Sequence, residues 1–105
     1  MKFLVMGRVG AAPIPPQQGA AIMQAAKEWM NAAIAEGRAD CQYIVADGQA
    51  GFTISNADSH EELMAQLLSY PLYPFLTWEI TPLCDWTQAY DQVIEFWKKL
   101  ASQMS

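Results

Sequence analysis

The sequence has few positive charges and almost no histidine, and each shortage argues against a class of function. Six Lys and Arg residues stand against eleven Asp and Glu, which gives a formal net charge of -5. Binding to a nucleic-acid backbone depends on clustered positive charge, so we expect no nucleic-acid partner. The single histidine, His60, has no cysteine or acid at ligand spacing on a shared face, which argues against a metal site and a catalytic triad.

Cysteines and long apolar runs are equally scarce. Cys41 and Cys84 are too far apart for a C-x-x-C site. They could form one bridge, but we expect two reduced thiols in a cytoplasmic protein. No apolar run approaches the roughly 20 residues that cross a bilayer, and Gly7 and Arg8 interrupt the apolar N-terminus too early for a secretory signal. Because both features are missing, we expect no membrane partner.

A phosphate loop is not expected either. The run GRVGAAP lacks the third glycine and the Gly-Lys-Ser/Thr of such a loop.

Apolar and aromatic residues are plentiful instead. Just over half of the 105 residues are apolar, and Trp, Tyr and Phe occur four times each. This length fits a single domain over residues 1–105. The aromatic content favours an aromatic-lined interior, a pocket or a subunit interface.

Hydrophobic periodicity predicts four strands and three helices. The strands are expected at 2–9, 39–46, 50–56 and 74–81, and the helices at 17–36, 59–70 and 86–104. The order β-α-β-β-α-β followed by one helix indicates the α+β class with a ferredoxin-like fold.

Local punctuation supports these boundaries. Gly37 is placed to end the first helix, and Asp47-Gly48 is a strong hairpin signal. Ser59 and Glu62 form a capping box before the second helix, which Pro71 ends because it disfavours helix at the residue before it. Asp85 is expected to cap the last helix.

A four-stranded sheet with helices on one face leaves its other face uncovered. In so apolar a chain we expect a second copy to cover it, giving a dimeric α+β barrel. The alternative is that the C-terminal helix covers this face within the same chain. The apolar stripe of that helix exceeds what a two-helix layer needs, and we expect it to pack against a neighbouring subunit.

The segment PLYPF at 71–75, which follows a leucine-rich helix and precedes a strand containing Trp78-Glu79-Ile80, resembles the muconolactone isomerase family. The first helix is similar too, with Lys27-Glu28 before an apolar face and Glu36-Gly37 at its end. The spacing of the elements fits over 2–83. The resemblance implies a ferredoxin-like subunit, a homodimeric barrel able to assemble further, and cofactor-free handling of small cyclic acids or lactones.

The chain also departs from the family pattern. The first helix of the family tends to have an acid just before the Lys-Glu pair, and here that residue is Ala26. The second and third strands of the family bring arginine, histidine, tyrosine and asparagine toward the ligand. The corresponding positions of this chain are Asp40, Cys41, Ile44, Gln49 and Gly51.

Two glutamates are candidate catalytic residues. Glu28 precedes the core-facing Trp29, so a pocket with aromatic walls would suit it as a general base next to a substrate carbonyl; the alternative is a solvated helix residue. Glu79 alternates with threonines along the fourth strand and could line a cavity. It could instead form an ion pair with Lys2 on the neighbouring first strand.

The candidate substrate-binding residues are aromatic. In a ferredoxin-like fold these aromatic residues, together with Phe75, are expected to converge on the space between the sheet and the helices. There the hydroxyls of Tyr43 and Tyr73 would orient a ligand. The simpler reading is that they form the core. The set is Trp29, Tyr43, Phe52, Tyr73 and Trp78.

These patterns predict a small-molecule-binding homodimer or higher homo-oligomer. The leading enzymatic hypothesis is cofactor-free proton-transfer isomerisation of a hydrophobic or cyclic metabolite. The alternatives are a cofactor-independent monooxygenase of aromatic substrates and a non-catalytic binding or assembly module.

Overall fold

The computed structural model of the protein describes residues 1–104 and has the predicted order of elements. A short 3-10 turn at Tyr73–Phe75 separates the second helix from the last strand. The strands are β1 Lys2–Val9, β2 Ala39–Ile44, β3 Ala50–Asn56 and β4 Leu76–Leu83, and the helices are α1 Gly19–Ala35, α2 His60–Ser69 and α3 Trp86–Met104.

The four strands form one sheet in the order β2-β3-β1-β4, with every neighbouring pair antiparallel. β1 is therefore a central strand, and Val5 pairs with Thr53 on one side and with Ile80 on the other. This arrangement confirms the ferredoxin-like α+β fold with an additional C-terminal helix.

The predicted boundary signals act through specific hydrogen bonds. Gly37 has a φ of 79°, and the following Arg38 N–H donates to the Ala33 carbonyl at 2.8 Å, which closes the end of α1. Ser59 Oγ accepts from the Glu62 N–H at 3.1 Å. Tyr70 is extended, with φ -73° and ψ 127°, as the residue before a proline should be.

The fourth strand begins later than predicted. The Phe75 N–H donates to the Leu72 carbonyl at 3.0 Å, so Tyr73–Phe75 is a 3-10 turn and β4 starts at Leu76. The strand continues to Leu83, beyond the predicted end at residue 81.

The core lies on one face of the sheet, beneath α1 and α2. Phe3 and Val5 are 2% and 3% exposed, as the alternation of β1 predicts. They form one cluster with Ala57 and Leu63. The other cluster joins α1 to the start of β2 and to the segment after α2, through Ala26, Met30, Ala33, Ala39, Tyr70 and Leu72.

The buried stripes of the two helices are narrower than predicted. Helical spacing in the sequence predicts that Met23 and Ile34 widen the core face of α1 and that Met64 and Leu68 belong to the core face of α2, but all four side chains are exposed. Small alanines occupy much of the contact face of α1, so the flanking larger side chains remain in solvent.

The predicted ion pair between Lys2 and Glu79 is wrong. Because β4 extends to Leu83, the register places Lys2 opposite Leu83 and Glu79 opposite Met6. The Lys2 ammonium instead donates to Asp40 Oδ2 at 2.6 Å and to Asn56 Oδ1 at 2.8 Å. Arg8 Nη2 lies 3.8 Å from Glu79 Oε2.

Helix α3 projects away from the rest of the described chain. It has no buried residue and makes no extended contact with another element within 1–104. The described chain measures 69 × 28 × 24 Å with a radius of gyration of 18.3 Å, against about 13 Å for a compact chain of this length. The helix therefore does not cover the second face of the sheet, here called the open face. No helix of the described chain is both long and apolar enough to cross a membrane.

The Asp40 network predicts an acid-sensitive contribution to stability. Hydrogen bonds from Lys2 and then Asn56 hold the pKa of the Asp40 carboxyl below its ordinary value. A lowered folded-state pKa stabilises the fold above the unfolded pKa of about 3.9, and this contribution disappears as the pH falls through the folded-state pKa. We expect the free energy of unfolding of Asp40→Asn to fall less between pH 5 and pH 3 than that of the wild type. Urea denaturation at each pH measures this free energy.

Asp91→Asn on the polar side of α3 is the matched control, and it should follow the wild-type pH profile. A profile for Asp40→Asn as steep as that of the wild type would contradict the prediction.

Candidate functional site

A cleft opens between the sheet and the two core helices. About 60 Å³ of the cleft is open to the centre of a water molecule; one buried water needs roughly 10–15 Å³, and small-molecule sites typically occupy roughly 300–1,000 Å³. The cleft is therefore small, with room for a few water molecules or a small ligand. Its lining comprises Val5, Gly7, Trp29, Met30, Ala33, Arg38, Ala39, Gln42, Gly51, Thr53, Ser55, Gln66, Leu67, Tyr70, Leu76 and Trp78.

Three aromatic rings form the wall of the cleft. Tyr70 lies edge-on to Trp29 at 5.0 Å and to Trp78 at 6.0 Å between ring centroids. The indole N–H of Trp29 donates to Ser69 Oγ at 3.1 Å, and that of Trp78 donates to the Tyr73 carbonyl at 3.1 Å. These bonds fix both indoles, so their role in the cleft is to provide an apolar surface.

Small residues form the floor. A Cβ built on Gly7 would lie 2.9 Å from Leu76 Cδ1 and 3.1 Å from Trp78 Cζ3, distances that real Cβ atoms rarely show. Thr53 and Ser55 complete this surface from β3, and both are 8% exposed. The cleft exists because β1 and β3 present small side chains beneath two indoles.

Arg38 brings a positive charge to the cleft. Its guanidinium carbon lies 5.0 Å from the centroid of the Trp29 ring, and its Nε donates to Glu36 Oε2 at 2.7 Å. A guanidinium has five N–H donors, so the remaining ones can meet a ligand anion or carbonyl. Sequence reasoning missed Arg38. The signal available was its position directly after the helix-ending Gly37 and before the first strand residue, Ala39.

Tyr70 is the second residue that sequence reasoning missed. Burial raises the pKa of its hydroxyl, and a hydrogen bond with the Gln42 side chain offsets part of the rise. The hydroxyl therefore stays neutral near pH 7 and can donate to a ligand oxygen. The available signal was the pair Tyr70-Pro71: the proline forces Tyr70 out of helical geometry and turns its ring toward the sheet.

The structure divides the predicted substrate-binding aromatics between two faces. Trp29 and Trp78 line the cleft, and Tyr73 stacks on Trp78 at 6.0 Å. The expectation that Tyr43 and Phe52 would converge on the same space is wrong. They pair across β2 and β3 with ring centroids 5.7 Å apart on the open face, and Tyr43 is 62% exposed.

Strand alternation explains this error. Gln42 and Thr53 pair with each other and line the cleft, so their neighbours Tyr43 and Phe52 must point to the opposite face. Phe75, which precedes β4, packs against the core cluster of α1 as expected.

Neither candidate glutamate is among the residues that line the cleft. Glu28 is exposed and accepts a hydrogen bond from Gln24 Nε2 at 3.0 Å. The side chain of Glu79 is 67% exposed and shares the open face with Met6, its partner in the sheet. The structure does not test their catalytic roles, which stay predictions. Within residues 1–104, no group of three or more His, Cys, Asp or Glu is placed to hold a metal ion.

The fold and the cleft together define a ferredoxin-like α+β protein with an aromatic-walled site between sheet and helices. The family model of muconolactone delta-isomerase matches residues 1–89, and the chain belongs to this family. A crystal structure of a muconolactone isomerase matches with a TM-score of 0.72 and 25% sequence identity, over 81% of this chain and 90% of that one. The comparison with curated proteins gave no match. The resemblance inferred from PLYPF is thereby confirmed.

The tight contact at Gly7 gives a stability prediction. We expect Gly7→Ala to lower the free energy of unfolding by about 1–3 kcal/mol, the usual cost of overpacking a core, because the added methyl group pushes against Leu76 and Trp78. Equilibrium urea denaturation measures the change.

Gly19→Ala is the matched control. A Cβ at Gly19 meets only Ile14 Cγ2, at 3.9 Å, which is ordinary contact, and alanine favours the helix that begins there. This variant should be as stable as the wild type or more so. If Gly7→Ala is as stable as the wild type, Leu76 and Trp78 can move to accommodate the added methyl group, and the prediction is wrong.

Proposed function

We propose that this muconolactone delta-isomerase family protein binds a small, hydrophobic, cyclic compound that bears an acidic or carbonyl oxygen. The observation that supports the proposal best is the combination in one cleft of aromatic walls with the Arg38 guanidinium and the Tyr70 hydroxyl. A flat ring would lie against Trp29 and Trp78, and its oxygen would face the donors.

The polar groups around the cleft favour a ligand that accepts hydrogen bonds. Arg38 is always a donor, and the neutral Tyr70 hydroxyl can donate. Gln66 Nε2 already donates to the Asn56 carbonyl at 3.1 Å, so its side chain is held in place at the edge of the lining. Arg38 is only partly exposed, and a ligand entering the cleft would displace water from its guanidinium. A charged or carbonyl oxygen on the ligand would then accept hydrogen bonds from the Arg38 N–H groups, which would otherwise be left unpaired.

The enzymatic form of the proposal is cofactor-free isomerisation, in which a base removes a proton next to a carbonyl and returns it at another carbon. Family membership supports this reaction class. Glu28 or Glu79 is the proposed base. Glu28 would have to reach the ligand from outside the cleft of the described subunit, and Glu79, on the opposite face of the sheet, could act only on a ligand bound at the open face. Tyr70 would donate a hydrogen bond to the oxygen on which negative charge develops.

A homodimer formed through the open face is part of the proposal. The open face carries the apolar side chains of Leu4 and Met6 from β1 and of Phe52 and Ile54 from β3, and α3 leaves this face uncovered. A second copy would bury these side chains and place Tyr43, Phe52 and Glu79 in the interface. The cytoplasm is the proposed location, because Cys41 and Cys84 are both free thiols.

Ligand binding is tested first, with muconolactone as the probe. We expect Arg38→Met to raise the dissociation constant about 10- to 100-fold, since a hydrogen bond to a charged group contributes roughly 1.5–3 kcal/mol. Isothermal titration calorimetry measures the constant. Arg8→Met removes an arginine from the open face and should bind as the wild type does. Equal affinities for the two variants would remove Arg38 from the site.

Turnover is tested separately, by following muconolactone and its products with purified protein and no added cofactor. We expect Glu28→Gln to abolish the isomerisation while leaving the dissociation constant within about 2-fold of the wild-type value, because the amide keeps the shape and loses the base. Glu79→Gln is the parallel variant. If turnover is unchanged in both variants, neither glutamate is the catalytic base. If the wild-type protein binds muconolactone but forms no product, it is a binding module and not an isomerase of this compound. Oxygen consumption with an aromatic substrate would indicate a monooxygenase.

A further inference from the structure

The apolar side chains of α3 follow the spacing of a helix that pairs with another helix. The large apolar residues recur at intervals of 4, 3, 4, 3 and 4, which is the a/d pattern of a heptad repeat. Five of the six are exposed: Trp86, Tyr90, Val93, Trp97 and Met104 are 52–81% exposed, and Leu100 is the sixth member. These six residues are called the seam.

The flanks of the seam are uncharged, and every charge lies opposite to it. Ile94 and Phe96 widen the apolar stripe on its two sides and are 49% and 59% exposed. The positions on the far side of the helix are all polar: Gln88, Asp91, Gln92, Glu95, Lys98, Lys99 and Ser102. A seam without flanking charge buries well against an equivalent surface.

We propose that α3 pairs with α3 of a second copy of this chain, with the two helices antiparallel. In the antiparallel register each layer joins one aromatic to one aliphatic side chain: Trp86 faces Met104, Tyr90 faces Leu100, and Trp97 faces Val93. The same three pairs repeat beyond the dyad, as a two-fold contact requires. Layers of matched volume pack without cavities.

A parallel pair fits less well. It would stack Trp86 on Trp86 and Trp97 on Trp97 while leaving Val93 against Val93, so wide and narrow layers would alternate. The helix dipoles agree with the antiparallel choice, because antiparallel helices bring opposite dipole ends together. The charged residues Asp91, Glu95, Lys98 and Lys99 all lie on the side away from the seam, so none of them has to be buried when the helices pair.

Within residues 1–104, no other element packs against α3 over an extended surface. Only Cys84 and Asp85 separate β4 from α3, and Asp85 caps the helix by accepting from the Gln88 N–H at 3.1 Å and by bonding to Thr87 Oγ1. This cap fixes where α3 begins. Residues 90–104 also lie beyond the region that the family model matches, so the pairing adds to what the family fold provides.

Disulfide trapping on the full-length chain tests both the pairing and its direction, in a Cys84→Ser background. Two variants are prepared separately, Tyr90→Cys and Leu100→Cys. In the antiparallel pair residue 90 faces residue 100, whereas two copies of residue 90 lie about 15 Å apart along the axis at 1.5 Å per residue, too far for a disulfide. We expect an interchain disulfide to form under mild oxidation when the two variants are mixed, and not when either variant is oxidised alone. Non-reducing gels detect the crosslinked dimer.

The other outcomes overturn the proposal in distinct ways. Crosslinking of each variant alone indicates parallel helices, because residues then face their own copies. No crosslink in any mixture shows that α3 pairs with something else or folds back on its own chain. Circular dichroism matching the wild type verifies that each variant is folded.

Native mass spectrometry provides the second measurement. Val93→Glu places a charge in the seam and should at least halve the assembled mass at micromolar concentration. Gln92→Glu adds the same charge on the polar side and should leave the mass unchanged. An assembly that tolerates Val93→Glu would show that the seam is not an interface, whatever the state of the open face.

Discussion

The side-chain alternation of β1 is the constraint on which the rest of the structure depends. β1 pairs with both β3 and β4, so its register decides what each neighbour presents to the helices. Phe3 and Val5 bury against α2, and Gly7 on the same face leaves the space that becomes the cleft. A slip of one residue would turn Phe3 and Val5 out and bring Met6 beneath the helices. Core burial and the position of the cleft are therefore set together.

The ends of the helices could be predicted from sequence because their causes are local. Gly37 closes α1, the Ser59–Glu62 box opens α2, and Pro71 ends it, each through contacts within five residues. The start of β4 was misplaced because Pro74 is compatible with both a strand and a turn. The hydrogen bond between Phe75 and Leu72 that selects the turn depends on how the segment packs, which the sequence does not display.

The content of the site was harder to predict, since it depends on which face of each strand meets the helices. Trp29 and Trp78 were found because helical spacing and strand alternation place them in the core. Tyr43 and Phe52 were assigned to the wrong face, and the Lys2–Glu79 pair failed because β4 runs to Leu83. Arg38 and Tyr70 were overlooked because both lie at element ends, where periodicity carries no signal.

The charge distribution distinguishes the two proposed contacts between copies of the chain. Two acids and two lysines make α3 neutral, so the net charge of -5 lies entirely on residues 1–85. Antiparallel α3 helices hold the two charged bodies at opposite ends of a rod about 28 Å long, well beyond the screening length of about 8 Å at physiological ionic strength. Pairing through the open faces brings those bodies into contact, so apolar burial there must outweigh repulsion. Salt should therefore strengthen the open-face contact and leave the helix pair almost unaffected.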